Sequence, residues 1–335
     1  MHRRALLLVV AALGVGGLSA CSTNDAALTV YSGRNEQLVG PLLERFADES
    51  GVDIEVRYGD SADLALLIDQ EGDRTPADVF ISQSPGAIGF LDGQGRLEPL
   101  RDAVLDAVPD EYRAPDGHWV GLTGRVRTLV YNTDLVSPDE LPASVFDLTD
   151  ERYHGRVGVA PTNGSFQDFV SVMREDFGDD VTRDWLDGLV ANDARTYGNN
   201  LAIRDAVGRG EIPFGLVNHY YNERALAEDP TAPSENFFFT AGDIGSTILV
   251  TAAGILAGTA EQDAASELLE FLLAEESQEY FAGETFEYPL AAGVRPATNL
   301  PELDTITAPP ADLAALGADL EATKELIEQS GLEQS

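Results

Sequence analysis

The chain has one cysteine, Cys21, one lysine, Lys324, and four histidines among 335 residues. Each scarcity removes a class of chemistry. A single thiol forms no internal disulfide and no thiolate metal cluster. There is no glycine-rich loop ending in lysine to cradle nucleotide phosphates. His2, His118, His154 and His219 are too dispersed for a zinc motif, and no His-Glu-x-x-His occurs. No nucleophile-elbow sequence marks a hydrolase. Positive charge is also scarce: 21 Lys and Arg stand against 58 Asp and Glu, a formal net charge of −37. Such a surface repels nucleic acid and anionic lipid headgroups. No acidic run concentrates that charge into a binding loop, so it reads as a solvated, self-repelling exterior. Long apolar runs are missing too, since Ala5 to Leu18 falls short of the roughly 20 residues that span a bilayer.

What is present begins with an export signal. Met1-His2-Arg3-Arg4 is basic, Ala5 to Leu18 is apolar, and Leu18-Ser19-Ala20-Cys21 follows. Basic start, short apolar core and small residues make residues 1–20 a secretory signal peptide. Leu-Ser-Ala-Cys resembles a bacterial lipobox, which makes Cys21 the lipidated N-terminus of the mature chain and residues 21–26 its tether. An acyl anchor holds a protein at a membrane without spanning it. The expected location is the outer face of the cell membrane.

Residues 21–335 are long enough for a large core and for two domains. Apolar runs alternate with helical patterns. Leu28 to Tyr31, Ile54 to Val56 and Ala77 to Ile81 read as strands, with helices at Leu38 to Ala47 and Asp63 to Gln70. Trp119 to Leu122 and Val126 to Tyr131 read as two strands with no helix between them. A second alternating set starts at Val157 and continues through Phe166 to Met173, Trp185 to Val190, Leu201 to Val207 and Ile212 to Val217. Phe237 to Phe239 and Ile248 to Val250 add strands, and Ala264 to Leu273 and Leu313 to Ile327 are amphipathic helices. Such alternation predicts parallel sheets flanked by helices. Two α/β lobes joined near Gly121 to Val126 and Gly245 to Leu249 fit better than one long sheet, and a hinged pair closes on a ligand.

Four strands end in polar residues: Ser32-Gly33-Arg34-Asn35, Ser82-Gln83-Ser84, Thr162-Asn163-Gly164-Ser165 and Asn218-His219-Tyr220-Tyr221. In open α/β sheets the carboxyl ends of the strands line the ligand crevice. The Tyr220-Tyr221 pair is the most informative of these. Phenolate oxygen is a ligand for ferric iron, although two packing rings read equally well in isolation. Asn163-Gly164-Ser165 opens a helix, a place that receives anions, or Ser165 is an ordinary cap. Asn199-Asn200 carries the same ambiguity. Arg125 and Arg127 alternate onto one strand face, as an oxyanion fork or as a surface pair.

These segments, taken in order, resemble the ferric-iron substrate-binding proteins of ABC importers. The likeness runs from Leu28 to about Pro296. It is carried by Val30-Tyr31-Ser32-Gly33-Arg34, Glu71 to Phe80, Gly124-Arg125-Val126-Arg127, Pro161 to Phe166, Asn218-His219-Tyr220-Tyr221 and Glu287-Tyr288-Pro289-Leu290. The resemblance implies a type II periplasmic-binding-protein fold: two doubly wound lobes, a two-strand hinge and an interlobe cleft. The expected lobes are 27–124 with 246–300, and 125–245 with 301–332. It further implies Fe(III) on Tyr220 and Tyr221. A synergistic anion (carbonate, phosphate or citrate) would sit on Arg125, Asn163, Gly164, Ser165, Asn200 and Asn218. The chain departs from the family's pattern in lobe 1. Asn35 stands where some members have histidine, and Gln83 where some have glutamate. Glu36 is a candidate replacement, and Phe166 stands where some members have a third tyrosine.

The implied role is a monomeric, lipid-anchored receptor, not an enzyme, that hands Fe(III) or a ferric chelate to an ABC permease. A receptor for another solute (oxyanion, phosphonate or polyamine), an exported enzyme on the same fold, and a signalling lipoprotein are the alternatives.

Overall fold

The computed structural model describes residues 27–334 apart from 241, 310 and 314. The expected leader 1–20, lipidation site Cys21 and tether 21–26 lie outside the described residues. The first elements are β1 (Leu28–Ser32), α1 (Glu36–Ser50), β2 (Ile54–Tyr58), α2 (Ser61–Glu71), β3 (Val79–Ser82), α3 (Pro85–Gly93), β4 (Leu97–Glu98) and α4 (Asp102–Leu105). β1 pairs in parallel with both β2 and β3. β3 is buried throughout, whereas β2 alternates between half-buried and exposed residues. That contrast marks a central strand and an edge strand. α1 begins where the Asn35 side chain accepts from the Gln37 N–H.

The next strand, β5 (Val120–Asn132), is one continuous element with every residue buried. The two strands read from the sequence are its halves; at Gly124 a Cβ would stand 3.2 Å from Leu290 Cδ2 and 3.3 Å from Tyr288 Cβ. Its first half runs antiparallel to β10 (Ile248–Leu256), between Val120 and Val126. From Arg127 onward it pairs with β8 (Phe214–Asn218), and from Leu129 with β9 (Ser234–Phe237). One strand therefore changes sheets at Val126–Arg127. The chain returns between β9 and β10 through the turn Ile244–Ser246. Phe238 and Phe239 lie beyond the end of β9.

The second sheet adds β6 (Val157–Val159), which pairs in parallel with β7 (Arg195–Thr196) and β8. Between them come α5 (Gly164–Ala191) and α6 (Asn200–Gly208). The two helices expected across 166–190 form one element broken at Gly178, whose φ is 83°. Phe166 is fully buried and stacks on Trp185 at 6.2 Å. It is core, so no ligand comes from that position. α7 (His219–Glu228) follows β8 without a loop. α8 (Gln262–Leu273), α9 (Glu275–Tyr280), β11 (Tyr288–Pro289) and α10 (Leu316–Ser330) complete the chain.

α10 does not belong to one lobe only. It packs on α5 of the second lobe and on α3 of the first. A Cβ at Gly317 would lie 2.3 Å from the Gly89 carbonyl carbon, so the helices touch backbone to backbone and only glycine fits. α10, in the segment 301–332 expected in lobe 2, therefore touches both lobes. Between the lobes remains a cavity of about 60 Å³, lined by Gly33, Gln83 and Ser84 on one side and Asn163, Gly164 and Gln167 on the other. A larger groove of about 880 Å³ runs between α2, α3 and α10, but none of the four polar strand ends lines it.

Candidate functional site

β8 is buried along its length and delivers Tyr220 and Tyr221 in the first turn of α7. Tyr220 is fully buried, and its hydroxyl, without a hydrogen bond of good geometry, lies close to Arg34 and Tyr221. Tyr221 is partly buried, and the two rings stack at 4.3 Å with an interplanar angle of 27°. Burial, and then the neighbouring Tyr220, push the Tyr221 phenol well above its usual range. A multivalent cation between the hydroxyls reverses that preference, because it stabilises phenolate directly.

Three guanidiniums surround the pair. Arg34, Arg125 and Arg127 are each no more than 2% exposed. Arg34 lies over Tyr220, 5.8 Å from the ring centroid, and pairs with Glu287 at 2.7 Å. Burial alone would lower its pKa, but Glu287 and Tyr220 outweigh that and raise it. Glu287 is fully buried and also accepts from the hydroxyls of Thr123 and Thr285, each at 3.1 Å. Arg125 donates to the Val250 carbonyl at 3.0 Å and to the Gln83 carbonyl. Burial lowers its pKa, and its Nε and Nη1 have no partner. Burial, then the adjacent Arg125, bring Arg127 down to about 9.

The residues expected to hold an anion do converge, but around Arg127 and not Arg125. Arg127 Nη1 donates to Asn218 Oδ1 at 3.3 Å, and to Ser165 Oγ and Asn200 Oδ1 at 3.4 Å. Asn200 Nδ2 reaches Asn163 Oδ1 at 3.0 Å and Ser165 Oγ at 3.1 Å. Asn163 caps α5 by accepting from the Ser165 N–H. The reason is the sheet change in β5. Arg125 pairs with Leu249 of the first sheet, while Arg127 pairs with Asn218 of the second. Gly164 presents an open face, with nothing within 4 Å of where a Cβ would stand.

The lobe-1 candidates fare differently. Asn35 and Glu36 are exposed, and Asn35 spends its side-chain oxygen on the α1 cap. Neither meets the tyrosines in this conformation. Gln83 is half-buried and lines the small cavity. Instead, lobe 1 brings Arg34 to the tyrosines, and it also brings the α3 N-terminus close to Asp168 of lobe 2. A Cβ on Gly86 would stand 2.8 Å from Asp168 Oδ1. Asp168 is 1% exposed, and its carboxylate lies close to the Ser84 hydroxyl and the Gly86 N–H without a hydrogen bond of good geometry to either. Burial pushes its pKa up to about 7, against the pull of Arg125. The sequence signal for Arg34 was its place in the first polar strand end. For Asp168, inside a helical pattern, there was none.

His219 is not available to a metal. Its Nδ1 accepts from the Val126 N–H at 3.1 Å and its Nε2–H donates to the Phe286 carbonyl at 2.8 Å. Burial lowers its pKa from 6.5 to about 4. Between those values the unfolded chain takes up a proton that the fold refuses. This group's contribution is therefore complete above pH 6.5 and is lost as pH falls toward 4, on the order of 3 kcal/mol. In thermal melts, the stability advantage of wild type over His219→Gln should shrink as pH drops from 6.5 to 4.5. A constant gap would contradict a buried neutral imidazole. Among the described residues, the one carboxylate–imidazole group close enough to share an ion is Asp92, Asp116 and His118. It uses none of the strand-end residues.

A stacked tyrosine pair, an arginine cluster and a closed cleft between two α/β lobes define a solute receptor of the type II periplasmic-binding fold. Residues 74–315 match the family described as bacterial extracellular solute-binding protein, and the chain belongs to that family. It is 30% identical to the major ferric iron-binding protein of Neisseria meningitidis, over 96% of this chain and 98% of that protein. Its fold matches iron-bound HitA from Pseudomonas aeruginosa with a TM-score of 0.87 and 30% identity, covering 91% of this chain and 99% of that one. It also matches a Trichodesmium protein (IdiA, FutA) solved in complex with iron and citrate ligands, with a TM-score of 0.77 and 26% identity over 92% and 100% of the two chains.

Proposed function

We propose that this chain is an exported receptor that binds Fe(III) through Tyr220 and Tyr221, with an exogenous anion, and delivers it to an ABC importer. The observation that carries this is the stacked phenol pair beside three buried guanidiniums, with Arg34 over the Tyr220 ring. Phenolates satisfy a hard trivalent cation. Guanidiniums with spare N–H groups satisfy an oxyanion that fills the remaining coordination positions. Carbonate, phosphate and citrate all have that chemistry, and the Trichodesmium neighbour was solved with iron and citrate. Lobes 27–124 with 246–300 and 125–245 hinge on β5 and on the β9–β10 link, and an ABC permease reads the closed form. Cys21 anchors the receptor through lipid. Among the described residues no helix is long and apolar enough to cross a membrane.

Titrating apo-protein with ferric citrate at pH 7.5 tests the reading. The expected result is a broad visible phenolate-to-iron band saturating at one iron per chain. The arginine cluster favours one other reading, a plain oxyanion receptor. Tight oxyanion binding without iron, and no visible band with it, would establish that alternative.

A further inference from the structure

Resting on the iron-receptor reading above, we infer that Asp168 is a built-in opening element, a carboxylate sealed between the lobes when they close and working against that closure. The bound ligand holds the cleft shut against this load, and the Asp168 charge sets how readily the receptor lets go. Asp168 stands in the second turn of α5, in lobe 2, and is 1% exposed. Part of its cover comes from across the cleft. A Cβ on Gly86 of α3 would stand 2.8 Å from Asp168 Oδ1 and 3.6 Å from the Leu316 carbonyl of α10. Ser84, at the cap position of α3, lies beside the same carboxylate.

The closed cleft replaces this carboxylate's water poorly. Neither Ser84 nor the Gly86 N–H makes a hydrogen bond of good geometry to it, and Pro85 between them has no N–H. Arg125 attracts it, yet that guanidinium donates to the Gln83 and Val250 carbonyls. Arg127 is also attracted, but is committed to Asn218, Ser165 and Asn200. Asp60, ahead of α2, adds a like charge. A buried carboxylate without matched partners is far less stable than the same group in water. Parting the lobes withdraws Ser84 and Gly86 and readmits water, so the cost falls chiefly on the closed form. The closed-form carboxyl titrates at about 7, against an ordinary 3.8 when hydrated, because burial disfavours its charge. Below both values it is neutral and closure carries no load. The load grows as pH rises between them and is complete above about 7.

The test uses two variants: Asp168→Asn, which removes the charge and keeps the shape, and Asp168→Ala, which removes the group. Each is loaded from ferric citrate, and iron loss to excess EDTA is followed through the ferric band across pH 5 to 8. Dividing the variant's affinity by wild type's at each pH cancels the titration of the phenols and of the chelator. At pH 8 both variants should hold iron about ten- to a hundredfold more tightly than wild type, tenfold for each unit by which closure raises the Asp168 pKa. They should release it correspondingly more slowly, with the band itself unchanged. The ratio should shrink toward one as pH falls to 5. Weaker binding in both variants would make Asp168 a closing contact. A ratio of one at pH 8, or one that does not vary with pH, would make its charge inert. Each of these overturns the inference while the band upholds the iron reading. A missing band in wild type and variants alike overturns the iron reading and this inference with it.

Discussion

Replacing both tyrosines, Tyr220→Phe with Tyr221→Phe, should abolish the visible ferric band and weaken iron binding by about a thousandfold or more, roughly 4 kcal/mol. The size of the effect follows from what is removed. Two anionic oxygens disappear, and Asn35, Glu36 and His219 cannot replace them. The first two are exposed and the third has both ring nitrogens committed. The fold should survive, because phenylalanine keeps both stacked rings and the Tyr220 hydroxyl makes no hydrogen bond of good geometry whose loss would strand a partner. Each single variant keeps one phenolate and should retain a shifted, weaker band. Calorimetry with ferric citrate, alongside melts of the apo-forms, separates lost binding from lost folding. Wild-type affinity in the double variant would exclude the pair as the metal site.

Glu287→Gln should cost about 3–5 kcal/mol of stability. Glu287 is fully buried and ties together three parts of the chain: Arg34 after β1, Thr123 in β5, and Thr285. Neutralising it leaves Arg34 charged, dry and close to Arg125, and desolvating an unpaired charge is far costlier than losing an exposed ion pair. The melting temperature should fall by roughly 5–15 °C. Adding Arg34→Gln should restore most of the loss, since a buried pair replaced as a unit is often neutral. Denaturant melts of the four members of that cycle measure the coupling. Additive losses would mean that the pair carries no special electrostatic load.

Much of this organisation is legible from residues close together in sequence. Leu28 to Tyr31, Ile212 to Val217 and the polar residues that follow each of them declare strand, strand end and site, because burial pattern and turn chemistry are local. The tyrosine pair could be found for the same reason. What could not be read depends on register and on distant partners. Arg125 and Arg127 look equivalent two residues apart, yet a change of sheet between them sends only Arg127 to Asn163, Ser165, Asn200 and Asn218. Arg34 and Glu287 are separated by 253 positions, and no periodicity connects them. Asp168 looks like the polar face of a helix until α3 is placed against it. Asn35 and Glu36 were plausible lobe-1 contacts because their loop was correctly placed. The α1 cap uses the Asn35 side chain instead and leaves both residues outside.

The most direct test is a visible spectrum with elemental analysis of the protein purified from its own host without added metal. The account predicts a coloured protein with one iron per chain, whose band disappears on reduction or chelation and returns with ferric citrate. A colourless protein that carries no iron, and that gains none from ferric citrate, would contradict it.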